Sequence, residues 1–489
     1  MGEVQDTLFP LECNRSVKVR AEADGALTLN GGALLLRELG QRLGLWKLLE
    51  QALYDPRDAH RITHPYIELM RTIVLLGAQG WSRLRDAEFL RDDPALRLAV
   101  SQRRGQGPLL PRQEVREPDG LASQPTLSRL LATLSTQENR AGVVRVLCSW
   151  AAHRVGLSTA HRRKDLTLDL DSVPCEVHGE QAGSAYNAHY HCRCFHPLIM
   201  SWELGDFLGA QLREGNVHTA TDALTFVLPY LDWAAAFARQ LWLRMDAGFP
   251  KDEFLGTLED RDYRYVARLK TNARLERMAW PHVDRIALKA EPENRLHTVE
   301  LRYRADAWRH PRRVVLVIDE RPLEITPRYF FLVTNASRKE ATGHELLERY
   351  RRRGVTEKDY GDWMNAVDVA LSSTNRPKAS YRGREPRDIS EPVDSFAVNE
   401  AILLVSMVTA NLLHSARALL EKSEGKQWSR DTLRKRVLQS AARIARSARY
   451  VTFWIQHTHA AYWLEIRNQL HRLHSARGSP PLLALPSPA

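Results

Sequence analysis

Between residues 32 and 53 apolar side chains return at the three-and-four spacing of a helix face (Leu35, Leu36, Leu39, Leu43, Leu45, Leu48, Leu49), and similar patterns run through 66–76 and 126–150. They predict a helical domain over residues 1–155, interrupted by an exposed loop at 101–120 rich in Gly, Pro and Arg. The period then drops to two. Leu166, Leu168 and Leu170 point one way while Thr167, Asp169 and Asp171 point the other, so a strand here ends in acid. Residues 240–245 predict a second strand ending in acid, at Asp246, with Gly248 as the turn after it. Extended segments at 185–195 and 197–204, a helix at 216–233 and a strand at 263–269 complete a mixed α/β sheet whose polar groups gather at its carboxyl edge. Residues 272–327 break the rhythm with Pro, Arg and short β-like runs (297–303, 313–318) and predict an inserted β-rich module, after which 329–333 returns to the core. Beyond 342 the pattern is helical (396–420, 429–445, 450–473), with a Pro- and Arg-rich loop at 375–392 and no internal repeat. The expected division is a helical N-terminal domain at 1–155, a mixed α/β domain at 156–375 and a helical C-terminal region at 376–489.

Composition narrows the partners. A hydrophobic content of 44% and a charged content of 26% over 489 residues suit a globular chain of more than one domain, with disorder expected only at its ends, as in 479–489. The net charge of +11 comes from Arg far more than Lys, and a planar fork of donors suits phosphate, so a polyanion is the expected partner. Five cysteines (Cys13, Cys148, Cys175, Cys192, Cys194) and the lack of an apolar leader predict reduced thiols and a cytoplasmic, nucleoid-associated protein. The longest apolar run, 401–413, is shorter than a bilayer span and carries Ser, Thr and Asn, so no membrane role is expected.

Two strand-end aspartates, Asp171 and Asp246, fit the needs of phosphodiester chemistry, which holds magnesium on oxygen ligands fixed to rigid elements. A third acid is expected from a helix facing that edge. In the segment 345–357, Tyr350, Arg353 and Glu357 stand at i, i+3 and i+7, placing a carboxylate beside an Arg and a Tyr that can hold phosphate.

The pattern Y-x2-R-x3-E at Tyr350, Arg353 and Glu357 resembles the signature helix of the insertion-sequence-4 superfamily of DDE transposases. The segments 121–129, 168–172, 177–181, 196–198, 212–218, 244–249 and 445–453 resemble its insertion-sequence-1380 branch, in the expected order over roughly residues 25–475. The resemblance implies a ribonuclease-H-like catalytic domain with a β-rich insertion between the second Asp and the Glu. It also implies Asp171, Asp246 and Glu357 as catalytic residues and ligands of two Mg2+ (or Mn2+) ions. Its implied partners are double-stranded DNA, both terminal inverted repeats and target, and a second copy of the chain in a synaptic homodimer. Its reaction is strand nicking followed by attack of a 3′-hydroxyl, through a hairpin end. The helical N-terminal domain at 1–155 is expected to bind that DNA, and the C-terminal region at 376–489 to bind it or to dimerise. Tyr350, Arg353 and, on an N-terminal helix headed by Ser123, Pro125 and Thr126, Arg129 are the expected DNA contacts. One position departs from the family: the Lys expected seven residues after the Glu is Met364, with Lys358 the neighbour able to replace it.

Each assignment has a rival. Asp169 shares a strand face with Asp171 and could be the ligand instead, although Asp171 has the strand end and the following Ser172. Glu357 alone would read as a solvated helix acid. His189, His191, Cys192, Cys194 and His196 suggest zinc, but strand alternation splits them between two faces. Trp280 and Trp308 could stack on a flipped base or fill the core of the insert. Arg430, Arg434, Arg436, Arg443, Arg446 and Arg449 read either as a phosphate-binding run or as a solvated face. Two other functions remain open: a transposase-derived DNA-binding protein that has lost catalysis, which Met364 would suit, and a nuclease without strand transfer.

Overall fold

A computed structural model describes residues 27–101, 120–287, 294–321, 327–374, 394–425, 427–446 and 451–474. Cys13, most of the loop expected at 101–120, that at 375–392, the terminal stretch 479–489 and Arg449 lie outside the described residues. The chain forms two compact units, one from Met1–Arg42, Asp55–Leu130 and Ser415–Ala476, the other from Leu43–Tyr54, Leu131–His414 and Arg477–Ala489.

With elements numbered along the chain, the smaller unit contains β1 (Leu27–Thr28), α1 (Gly32–Arg42), α3 (Tyr66–Gln79), α4 (Asp86–Phe89), α5 (Pro94–Val100), the start of α6 (Gln124–Leu134), α14 (Arg430–Leu433), β13 (Ala442–Arg446), β14 (Val451–Ile455) and α15 (His457–His474). Asp93 starts α5 by accepting from the Leu96 amide at 2.9 Å, with Pro94 in the first turn. The helices expected at 429–445 and 450–473 are corrected here. Only α14, a short π turn at Arg434–Leu438 and α15 are helical, and between them β1, β13 and β14 form an antiparallel sheet. Ala442 and Ile444 are buried while Arg443 is exposed, an alternation that suits a half-covered strand.

The larger unit contains α2 (Leu45–Ala52), α7 (Gln137–Val155), β2 (Arg163–Ser172), β3 (Cys175–Glu176), β4 (Ala185–Asn187), β5 (Cys192–Phe195), β6 (Leu198–Trp202), β7 (Phe207–Gln211), α8 (Ala223–Ala234), β8 (Ala238–Met245), α9 (Asp252–Asp260), β9 (Arg264–Leu269), α10 (Ala273–Ala287), β10 (Arg295–Tyr303), β11 (Arg312–Glu320), β12 (Arg328–Thr334), α11 (Gly343–Arg351) and α12 (Arg353–Val367). It also takes most of α13 (Ser395–Glu424). Eight strands form one mixed sheet in the order β10-β11-β12-β9-β8-β2-β6-β7, in which β8 runs parallel to both β2 and β9 and the other pairs are antiparallel. Both faces are covered, and strand alternation assigns the side chains. Leu166, Leu168, Leu170, Leu241, Leu243, Leu316 and Phe331 enter one core, while Trp242, Val266, Val315, Val317 and Leu332 enter another with Leu346 and Leu347 of α11.

The stretch 272–327, expected as an inserted β-rich module, is part helix and part of the main sheet. It opens with the helix α10, and its strands β10 and β11 continue the main sheet beyond β12. β11 bonds to β12 as well as to β10, which gives the hairpin a third strand that it would lack in isolation. The helix expected at 216–233 begins only at Ala223, after turns. The described part of α13 includes a 27-residue apolar span whose most apolar 18-residue window has mean hydropathy 1.7 and is 83% buried in the protein, so core packing accounts for its composition.

Candidate active site

Leu170 of β2 lies opposite Met245 of β8 in parallel register, so Asp171 and Asp246 leave the sheet side by side at its carboxyl edge. Asp171 is 6% exposed and accepts from the Ser172 amide at 2.8 Å. Asp246 is half-buried and accepts from the Gly248 amide at 2.7 Å. A Cβ at Gly248 would lie 2.8 Å from Thr219 and 3.1 Å from the Asp246 carboxylate, so this turn needs glycine for lack of space.

The third acid arrives from the facing helices. Thr342 and Glu345 form a reciprocal cap that starts α11. The helical path is interrupted at Arg352, so Tyr350 belongs to α11 whereas Arg353 and Glu357 belong to α12. Arg353 donates to Asp171 Oδ2 at 2.8 Å and also pairs with Glu357 Oε1, joining two of the three acids. Glu357 remains half-exposed at 53%. Tyr350 is partly buried, its ring 6.4 Å from that of Phe330. Arg129 belongs to the other unit, where it is exposed and donates to Thr126 of its own helix at 3.1 Å. Met364 is half-buried and Lys358 exposed on α12.

Burial pushes the Asp171 carboxyl up to about 6; Arg353 and the Ser172 amide pull it down, while Asp246 and Glu357 add repulsion. Burial also works against the charge of Arg353, but Asp171 and Glu357 more than offset this and raise its pKa. Asp171 thus feels two further carboxylates and one cation that bridges it to Glu357. This donor set suits hard divalent ions, although among the described residues no three His, Cys, Asp or Glu side chains are drawn into a cage by themselves.

Asp169 is otherwise engaged. Its carboxylate accepts from Arg244 Nε at 2.5 Å and Nη2 at 2.7 Å, and both side chains are almost wholly buried. This bidentate pair leaves Asp171 as the strand acid at the edge. Sequence reading missed Arg244, because the pairing rests on the register of β2 and β8. It also missed Tyr190, whose hydroxyl burial raises in pKa and which lies within the fields of Asp171 and Asp246. Tyr190 falls in the segment that suggested zinc, where Cys194 is buried in β5 and His196 Nδ1 meets the Val217 carbonyl at 3.2 Å. Trp308 packs against Tyr303 and is buried, whereas Trp280 is 60% exposed. In the basic C-terminal run Arg430 and Arg434 are buried, so the run is not one solvated face; Arg434 donates to the carbonyls of Ala78 and Gly77 at the end of α3.

Two aspartates at the ends of neighbouring parallel strands, faced by Arg353 and Glu357 from a helix, define an α/β protein with a carboxylate-lined site at its sheet edge. Residues 10–379 match the family model of the transposase DDE domain group 1, and the chain belongs to that family of transposases. The family implies a DNA-binding, metal-dependent enzyme of transposition. No curated protein gives a significant match.

Proposed function

We propose that this chain binds the terminal inverted repeats of an insertion sequence, cuts a DNA strand there and joins the resulting 3′-hydroxyl to target DNA, acting as a homodimer. The juxtaposition of Asp171 and Asp246 opposite Arg353 and Glu357 carries this reading. Three antiparallel strands (β7, β6, β2) followed by two parallel ones (β8, β9) support a ribonuclease-H-like core. The spacing of Tyr350, Arg353 and Glu357 supports a place in the insertion-sequence-4 superfamily, and the segments 121–129, 168–172, 177–181, 196–198, 212–218, 244–249 and 445–453 support its insertion-sequence-1380 branch.

Asp171, Asp246 and Glu357 would hold two Mg2+ or Mn2+ ions, which when bound activate the attacking oxygen and neutralise charge on the phosphate. The protein's own groups do the rest. The strand ends fix the two aspartates, Arg353, which bridges Asp171 and Glu357, brings a cation to the scissile phosphate, and Tyr350 stands beside it. The test is incubation of the full chain with Mg2+ and a duplex carrying the inverted repeats that flank its gene. Nicked and joined products are expected. Binding without cutting would favour a DNA-binding protein that has lost catalysis, and cutting without joining a nuclease.

A further inference from the structure

The face of β2 opposite its leucines is a ladder of polar side chains, each held by the helical layer above. Asp165 and Thr167 accept from Arg349 at 2.6 Å each, Asp169 accepts from Thr356 Oγ1 at 3.2 Å, and Asp171 accepts from Arg353. Arg349 is further fixed over the Trp242 ring at 4.3 Å. At the centre of the ladder stands Arg244. Besides its two bonds to Asp169 it donates to the Arg349 carbonyl at 2.5 Å and to Thr356 Oγ1 at 3.5 Å.

Arg349 is in the last turn of α11, where carbonyls have no partner within the helix. Arg244 is therefore a side-chain cap for that end, and the interruption at Arg352 follows three residues later. On the other side of the interruption Thr356 precedes Glu357. One buried guanidinium thus holds the end of one helix and the first turn of the next, and Asp169 holds the guanidinium.

We propose that Arg244, clamped by Asp169 and Thr356, is a positioning residue that sets the break at Arg352 and so the direction from which Glu357 approaches Asp171 and Asp246. The assignment of Glu357 to the chemistry rests on the function proposed above; the positioning itself does not. Asp169 is on this account a support of the site, which explains a second strand aspartate so close to the first.

The mild variant is Thr356→Val, which removes the hydroxyl and keeps the shape, with Thr356→Ser as rescue; Asp169→Asn is the stronger one. In the full-length protein, amide hydrogen exchange over residues 349–358 should quicken about three- to tenfold in Thr356→Val, the scale of one lost hydrogen bond, and return to wild type in Thr356→Ser. Mn2+ titrated alone should bind several-fold more weakly to Thr356→Val, with the thermal midpoint nearly unchanged. Unchanged exchange in 349–358 in both Thr356→Val and a folded Asp169→Asn would overturn the positioning role. Wild-type protein that binds no Mn2+ and cuts no DNA would instead overturn the enzymatic reading, leaving the exchange result to decide this one.

Discussion

At the level of single residues the site rests on Asp171, a carboxylate whose ionisation burial resists. Replacing Asp171, Asp246 or Glu357 with Ala should abolish cleavage while leaving binding of terminal-repeat DNA nearly intact, as gel-shift and cleavage assays on one duplex would show; normal cutting by all three variants would sink the enzymatic reading. Arg353→Ala should slow single-turnover cleavage roughly ten- to a hundredfold, the worth of a charge-assisted contact. The raised pKa of Asp171 sets a pH dependence with a definite sign. Its folded value, about 6, lies above the ordinary 3.8, so its contribution to stability is complete below about 3.8 and lost as pH rises through about 6. In chelated buffer the loss should approach about 3 kcal/mol. Denaturant titrations from pH 4 to 7 should show this slope in the wild type and a flatter one in Asp171→Asn. Affinity for Mn2+ should rise over the same interval as the proton ceases to compete. Much of this was legible in the sequence, because an acid at the end of an alternating run is a local signal. The strand end and the following Ser172 already favour Asp171 over Asp169, but no local pattern records that Asp169 meets Arg244 across the sheet.

At the level of elements, helix α9 is tied to strand β11 by one cation. Arg312, 2% exposed, pairs with Asp252 and Glu259 at 2.7 Å each and lies 5.0 Å from the Trp308 ring, while Tyr265 donates to Glu259 at 2.7 Å. Removing the guanidinium would leave two carboxylates facing each other in a largely desolvated place. Arg312→Met should therefore destabilise the protein by about 3 kcal/mol in equilibrium unfolding. The exposed Arg261–Asp232 pair at 3.0 Å is the control, since Arg261→Ala should cost under about 1 kcal/mol. Equal losses in the two variants would contradict this ranking. The strands β10 and β11 were readable as extended chain, but not their membership of the main sheet, which depends on β12 lying beside β9. β13 and β14, expected as helix, form a sheet with β1, which pairs with β13 from the other end of the described chain, so the partner is invisible to a local pattern.

For the molecule as a whole, the smaller unit is assembled from both ends of the described chain. Strand β1 pairs with β13, and α3 has its last carbonyls capped by Arg434. A fragment of residues 1–155 should consequently lack a cooperative thermal transition by circular dichroism, whereas the full chain shows one. A sharp transition in the fragment would mean that its helices suffice without residues 415–476.

The same pairing sets an order of events during synthesis. At ribosomal rates β1 emerges about 20 to 80 s before β13 can reach it. Every strand of the eight-stranded sheet is made in between. The nascent chain can thus complete the surface that carries Asp171 and Asp246 while β1 still waits for a partner. A message cut short near its 3′ end would yield polypeptides with the acids in place and the smaller unit unfinished, open to proteases.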